Sequence, residues 1–382
     1  MAVLQAALLI LTILSAVMMV VGLINLHFFF RKGRVAPQLK SCPTVSIIKA
    51  LKGFDAHLIE NLESFCAIDY PHYEIILAVA SADDPVIPLV DQFMSRPGLK
   101  NIRLVVDPSI IGHNPQISNF HNGYKVSTGE IIIFSDSDTS ATPDLIGRLI
   151  EPLEDERVGI VSGFAVFRRS QGFWSSAKGM TYNSSVPLYD ALWCNLIPIT
   201  IGAAMAVRRQ VFEEIGGFQP ISDKLTTDQE LGKLISRRGY KTKLVPYLIA
   251  MSEERMPFAG HVRQILRWLV AIKAASPVDY HFIVLTNTTF LSFLFWLTAP
   301  TDPFPLAVLA GTVVFRIVTP FYLHWRILKD PQAAWHAWMI LPVDFLLPIL
   351  WLIGQWRRRV SWRGTDFILR KGTMVPVKNG GT

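Results

Sequence analysis

The chain has 382 residues, 51% of them hydrophobic and only 18% charged, with a mean hydropathy of +0.34. About 25% charged is usual for a soluble domain, so the composition excludes an ordinary soluble protein of this length. The net charge of +7 does not form a nucleic-acid footprint, because the basic residues gather beside apolar stretches: Arg31, Lys32 and Arg34, then Arg263 and Arg267, then Arg357, Arg358 and Arg359. Attraction to a membrane surface accounts for that pattern, and no nucleic-acid partner is expected.

Residues 2–30 are uncharged, a run longer than the 20 or so residues that cross a bilayer. No basic segment precedes it, no small-x-small cleavage site follows it, and Arg31-Lys32 stops it. It reads as a retained span over 1–31 rather than a signal peptide. Its positive flank places the following domain, 42–257, on the cytoplasmic side of a multi-pass membrane protein.

From Val45 the pattern alternates. Strands are predicted at 45–50, 73–80 and 102–106, with helices near 57–67, 88–94 and 117–126 between and after them. The run Ile131-Ile132-Ile133-Phe134 is a fourth, buried strand. This rhythm predicts an α/β fold with a doubly wound, mainly parallel sheet. No G-x-G-x-x-G follows the first strand and no Walker-type loop appears, which argues against a dehydrogenase or P-loop site. Cys42, Cys66 and Cys194 have no metal-ligand spacing and read as reduced thiols.

Residues 258–278 mix apolar and basic positions and suit a helix lying in the headgroup plane. Three apolar stretches follow within 279–356, near 282–299, 304–323 and 338–354, before a cytosolic tail at 357–382. If all three crossed, Arg357, Arg358, Arg359 and Arg363 would lie on the wrong side. One stretch, 282–299, is therefore expected to be re-entrant or interfacial.

The chemistry gathers at four places. Asp136 and Asp138 follow the fourth strand directly, where ligands collect in open α/β sheets, and two carboxylates there suit a divalent cation on a phosphate-bearing substrate. Asp83-Asp84-Pro85 closes the second strand; its carboxylates suit either a nucleotide's hydrogen bonds or simple turn and cap chemistry. Asp228 opens a helix that runs to Arg237 and is placed to act as a general base, with Glu230 second to it. Gln264, Arg267 and Trp268 share one helical face at i, i+3 and i+4, with a guanidinium to clamp a diphosphate and an indole to stack on a sugar. The same residues would also anchor an amphipathic helix at a membrane.

Asp84, Asp136, Asp228 and Gln264-Ile265-Leu266-Arg267-Trp268 together resemble the D, D, D, (Q/R)xxRW signature of inverting GT-A glycosyltransferases. The nearer resemblance is to ceramide glucosyltransferases and their bacterial relatives. Lys49-Ala50-Leu51-Lys52-Gly53 is similar to that family's KPLKG, and Asp69-Tyr70-Pro71-His72-Tyr73-Glu74 to its DYPxYE. Asp83-Asp84-Pro85 matches its DDP, Asn114-Pro115-Gln116-Ile117-Ser118-Asn119 resembles NPKxxN, and Ser361-Trp362-Arg363-Gly364 resembles its SWR segment.

The resemblance implies a GT-A fold, UDP-glucose as donor, a membrane-lipid hydroxyl (ceramide first) as acceptor, inversion, and a divalent cation, Mg2+ or Mn2+. By position it makes Asp228 the base and Asp136 and Asp138 the metal-diphosphate ligands. Asp84 falls on the nucleotide, and Lys49, Asn114, Gln264, Arg267 and Trp268 become substrate-binding residues. Two departures stand out: Gln116 replaces a lysine, and Asp138 replaces a glycine of the animal enzymes. Bacterial relatives that glycosylate hopanoids share the second. Transfer of N-acetylglucosamine to a hopanoid and processive polysaccharide synthesis are therefore the alternatives, beside a membrane-anchored nucleotide-sugar-binding protein without turnover.

Overall fold

Strands β1 (Val45–Ala50), β2 (Tyr73–Val79), β3 (Ile102–Val106) and β4 (Ile131–Asp136) run parallel in the order β3-β2-β1-β4. In this computed structural model the described residues are 2–33, 36–55, 57–99, 101–285, 287–362, 365–370 and 372–377. β-Branched residues fill these strands, and successive side chains leave opposite faces. Ile47, Ile75 and Ile133 enter one core and Ile48, Ile76, Ile132 and Phe134 the other. That double burial is why the strands read as continuous apolar runs rather than as an alternation.

The sheet continues past β4 as a mixed one, in the order β4-β7-β6-β8-β5, with β5 (Thr139–Ser140), β6 (Val158–Ser170), β7 (Ala204–Arg208) and β8 (Lys241–Glu253). β7 is antiparallel to both β4 and β6, and β6 is parallel to β8. Pairing of Ser135 with Ala204 carries the loop before β7 to the carboxyl end of β4. Helix Pro115–Val126 lies close on β1 because Gly123 has no side chain: a Cβ there would stand 2.5 Å from Ile48 Cγ2.

Among the described residues three helices are long and apolar enough to cross a membrane: Ala2–Arg31, Pro303–Ile327 and Ala337–Trp356. The remaining apolar stretch is broken into helices Pro277–Leu285 and Thr288–Leu297, bent by 59°. A bend of that size fits the expected irregular segment. Polar contacts tie these pieces to one another. Arg316 donates from Nε and Nη2 to the two Asp344 oxygens at 2.8 and 2.9 Å, and both residues are buried. Arg316 Nη1 reaches Met19 Sδ of the first helix at 3.6 Å, and Ser15 bonds Thr288 at 2.7 Å.

The tail is not a loose extension. Strands β9 (Arg359–Trp362), β10 (Thr365–Arg370) and β11 (Thr373–Pro376) form an antiparallel sheet. Val360, Phe367, Leu369 and Met374 bury one face of it against Val270 of helix Phe258–Ala275. Met374 N donates to Asp223 O at 2.7 Å, and Lys224 Nζ to Thr373 Oγ1 at 3.0 Å. Arg363 and Gly364 of the SWRG segment, like Arg34, lie outside the described residues.

Removing one partner of a buried ion pair strands the other charge. Arg316→Leu or Asp344→Leu alone should cost about 3–5 kcal/mol, and the joint replacement distinctly less. Thermal unfolding of the detergent-solubilised chain measures this; equal losses from single and joint variants would refute the clasp.

Candidate active site

The site begins with a lysine that never reaches it. Lys49 is fully buried in β1, its Nζ 3.7 Å from the centre of the Phe65 ring. It donates to Ser135 Oγ (3.1 Å), Asp136 O (2.7 Å) and Thr139 Oγ1 (3.1 Å). All three N–H bonds of an ammonium are thereby used. Burial pushes its pKa down to about 7 against the pull of Asp136, Asp138 and Asp55. Lys49, expected to bind substrate, holds the turn that presents the two aspartates.

Asp136 ends β4 and Asp138 follows two residues on. Burial, then the charges of Asp138 and Asp228, push Asp136 up to about 7, while Gln116 Nε2 donates to its Oδ1 at 2.7 Å. Asp138 is pushed up to about 6 by burial and then by Asp55. Its Oδ1 is buried with no hydrogen-bond partner. A bare buried carboxylate oxygen is costly and is the atom a cation would take. Among the described residues no group of three or more His, Cys, Asp or Glu side chains could hold a metal by itself. A cation here would need oxygens from a ligand.

Asp228 stands in the first turn of helix Thr227–Arg237. Its Oδ2 accepts from Gly202 N (3.1 Å) and its Oδ1 from Gln229 N (2.8 Å). Burial raises its pKa and those amides oppose the rise. A Cβ on Gly202 would lie 3.4 Å from both Asp228 Cβ and Oδ2, an ordinary contact distance, so the loop before β7 packs directly beside the acid.

Helix Phe258–Ala275 closes another side. Trp268 lies against Tyr182, ring centres 5.7 Å apart, and under Lys178 Nζ at 5.1 Å. Lys178 is fully buried and ion-paired with Glu253. Arg267 and Asp138 each perturb both members of that pair, which links the RW end of the motif to the aspartates. Gln264 and Arg267 line a cavity of about 320 Å3 with Arg263, Arg357, Arg359 and Ser361, so the tail sheet forms part of its wall.

Asp84 bridges the loops after β1 and β2. Its Oδ1 accepts from Gly53 N (2.9 Å) and Val86 N (3.0 Å), an Asx turn into helix Val86–Met94. Asn114, also expected to bind substrate, is fully buried and works as a helix cap. Its Oδ1 accepts from Gln116 N and Ile117 N, and its Nδ2 donates to Lys224 O at 2.8 Å. Asp136, Asp138 and Asp228 thus come together, with Gln264, Arg267 and Trp268 on the flanking helix; Lys49 and Asn114 stand behind them. Lys178, Tyr182, Asp190 and Glu253 were not expected. Helix Phe173–Asn183 mixes Ser, Thr, Lys and Asn with its apolar residues, so no sequence pattern marked them.

A model for glycosyl transferase family 21 matches residues 9–375. The chain belongs to that family. Among curated relatives, ceramide glucosyltransferase 3 of Caenorhabditis elegans is 25% identical over 231 residues, 60% of this chain and 50% of its own. Ceramide glucosyltransferase 1 of the same organism is 23% identical over 249 residues, 63% and 53%. The chain thus spans about half the length of these family 21 relatives. The fold is similar to that of the mannosyltransferase PcManGT from Pyrobaculum calidifontis in complex with GDP-Man and Mn2+. That structure has a TM-score of 0.53 at 18% identity, covering 90% of this chain and 99% of that one. The GT-A fold expected for this family 21 chain is the one observed.

Loss of the Asn114 cap should weaken the whole site-bearing segment. Asn114→Ala is expected to lower stability by about 1–2 kcal/mol, seen as a lower melting temperature of the full chain in detergent. An unchanged melting temperature would show that the cap contributes nothing.

Proposed function

We propose that this protein transfers glucose from UDP-glucose to the hydroxyl of a membrane lipid, ceramide first among candidates, with inversion. The observation that carries the reading is the convergence of Asp136, Asp138 and Asp228 beside Arg267 and Trp268, at the carboxyl end of a GT-A sheet joined to apolar helices. Family membership and the ceramide glucosyltransferase relatives support it.

In this reading Asp84 lies at the nucleotide end, and Arg267 clamps the diphosphate with its planar fork. Asp136 and Asp138 are the residues to hold a divalent cation, Mg2+ or Mn2+, since one or two carboxylates plus substrate phosphates are the usual set for such an ion. The unpartnered Asp138 Oδ1 fits that role. A bound cation supplies neutralisation of the charge that develops on the departing UDP. Asp228 accepts the proton of the acceptor hydroxyl as its oxygen bonds to the anomeric carbon and the carbon–phosphate oxygen bond breaks. Trp268 and Tyr182 wall the sugar from water. The apolar helices admit the lipid while the sheet domain faces the cytoplasm.

Asp138 in place of a glycine favours a second reading, transfer of N-acetylglucosamine to a hopanoid. Incubating membranes with UDP-glucose and UDP-N-acetylglucosamine against ceramide and a hopanoid separates the two by product mass. Long polysaccharide products would overturn both.

Asp228→Asn should cut transfer about 10²–10⁴-fold, the range for removal of a general base, while UDP-glucose affinity stays within about threefold. Lost donor affinity in that variant would refute the base assignment. Chelation should abolish transfer. Without a cation, Asp136 and Asp138 keep protons that an unfolded chain loses near pH 4, so their contribution to stability falls as pH rises from about 4 to 7. A cation opposes that loss, so Mn2+ should raise the melting temperature more at pH 8 than at pH 5.5; equal shifts would remove the pair as ligands.

A further inference from the structure

Asp190 is a buried acid that the chemistry above leaves unused. It sits in helix Val186–Trp193 with 6% of its surface exposed. Among the described residues no donor bonds its carboxyl and no cation pairs with it. A carboxyl largely removed from water and given no protein partner is unfavourable unless something else supplies one, and the Asp190 oxygens are not among the fully enclosed atoms, so a ligand atom could reach them. Of the three site aspartates only Asp228 perturbs it, and together with burial pushes its pKa up to about 8. Burial, then Asp190, Asp228 and Asp136, push up the pKa of Tyr182, which lies tilted against Trp268. Asp190 therefore lies within electrostatic reach of Asp228 and Tyr182, on a helix packed against the one that carries Tyr182.

The helix that carries it faces the apolar part of the molecule. Gly22 of the first apolar helix would bring a Cβ to 3.1 Å from Leu188 Cβ, so the two helices touch closely. Tyr189 OH donates to Asp279 Oδ1 at 2.9 Å, fixing the helix to the first half of the bent pair. Just beyond its end Leu196 and Ile197 are exposed, 73% and 39%. A lipid arriving from the bilayer would reach Asp228 past this helix.

We propose that Asp190 forms an acceptor subsite, binding a second polar group of the lipid head, an amide N–H or neighbouring hydroxyl, while the hydroxyl to be glycosylated faces Asp228. This rests on the lipid-acceptor reading above. A protonated carboxyl both donates and accepts, which suits a head group carrying both kinds of atom. The residue sets which lipid is bound and takes no proton in the reaction.

The test uses the full chain in detergent with UDP-glucose and two acceptors of equal chain length, an N-acyl sphingoid base and a simple primary alcohol. Asp190→Ala should raise KM for the sphingoid acceptor about tenfold or more, leave KM for UDP-glucose within about twofold, and erase the preference over the alcohol. Asp190→Asn, which keeps a donor and an acceptor, should stay within about threefold of wild type. If the alanine chain fails to fold, seen as a lost thermal transition, Asp190→Leu, which fills the space without polarity, gives the same reading. Equal losses on both acceptors, a rise in donor KM instead, or no change would overturn the subsite while leaving the transferase reading intact. Wild-type protein that glycosylates neither lipid would overturn both.

Discussion

A single ammonium group underlies the site. Lys49 lies under the end of β4 and spends its three hydrogen bonds on the turn from Ser135 to Thr139, so the backbone carrying Asp136 and Asp138 has one position. The same charge opposes the rise that burial imposes on both carboxyls. Buried charges persist when they are paired and hydrogen-bonded, and here each side of the pairing makes the other tolerable. The β1–β4 register then sets where the acids stand relative to the sheet, since Lys49 pairs with Ser135 and Ala50 with Asp136.

Much of this architecture was legible. Strands β1 to β4 announced themselves because both their faces are buried, which forces unbroken apolar runs. Asp136, Asp138 and Asp228 were visible as acids at element ends. The antiparallel β7 was not, because a five-residue strand rich in alanine has no periodic signature and its direction depends on partners remote in sequence. The inward turn of Lys49 and Asn114 was not legible, because motif similarity records position and not the direction a side chain takes. Both turn inward, one beneath a strand and one into a helix cap. Asp190 went unnoticed since one acid in a short helix looks like any solvated charge until the fold removes the solvent.

The apolar segments are fastened by polar atoms. With hydrocarbon on the outside, hydrophobic burial gives helices no reason to associate, and close contacts plus hydrogen bonds take over. Gly22 against the Val186–Trp193 helix, Ser15 on Thr288 and the Arg316–Asp344 fork supply both. These contacts also join the first helix, far away in sequence, to the final one, and so fix the sheet domain against its apolar base.

The C-terminal strands carry a consequence for how the molecule is made. Val360, Phe367, Leu369 and Met374 brace the Trp268 helix, and Met374 and Thr373 bond the segment leading to Asp228. During synthesis these residues emerge after the apolar helices described above. The loop bearing Asp228 therefore stays unbraced while those helices are being made, and reaches its final form only once the tail sheet has closed on it.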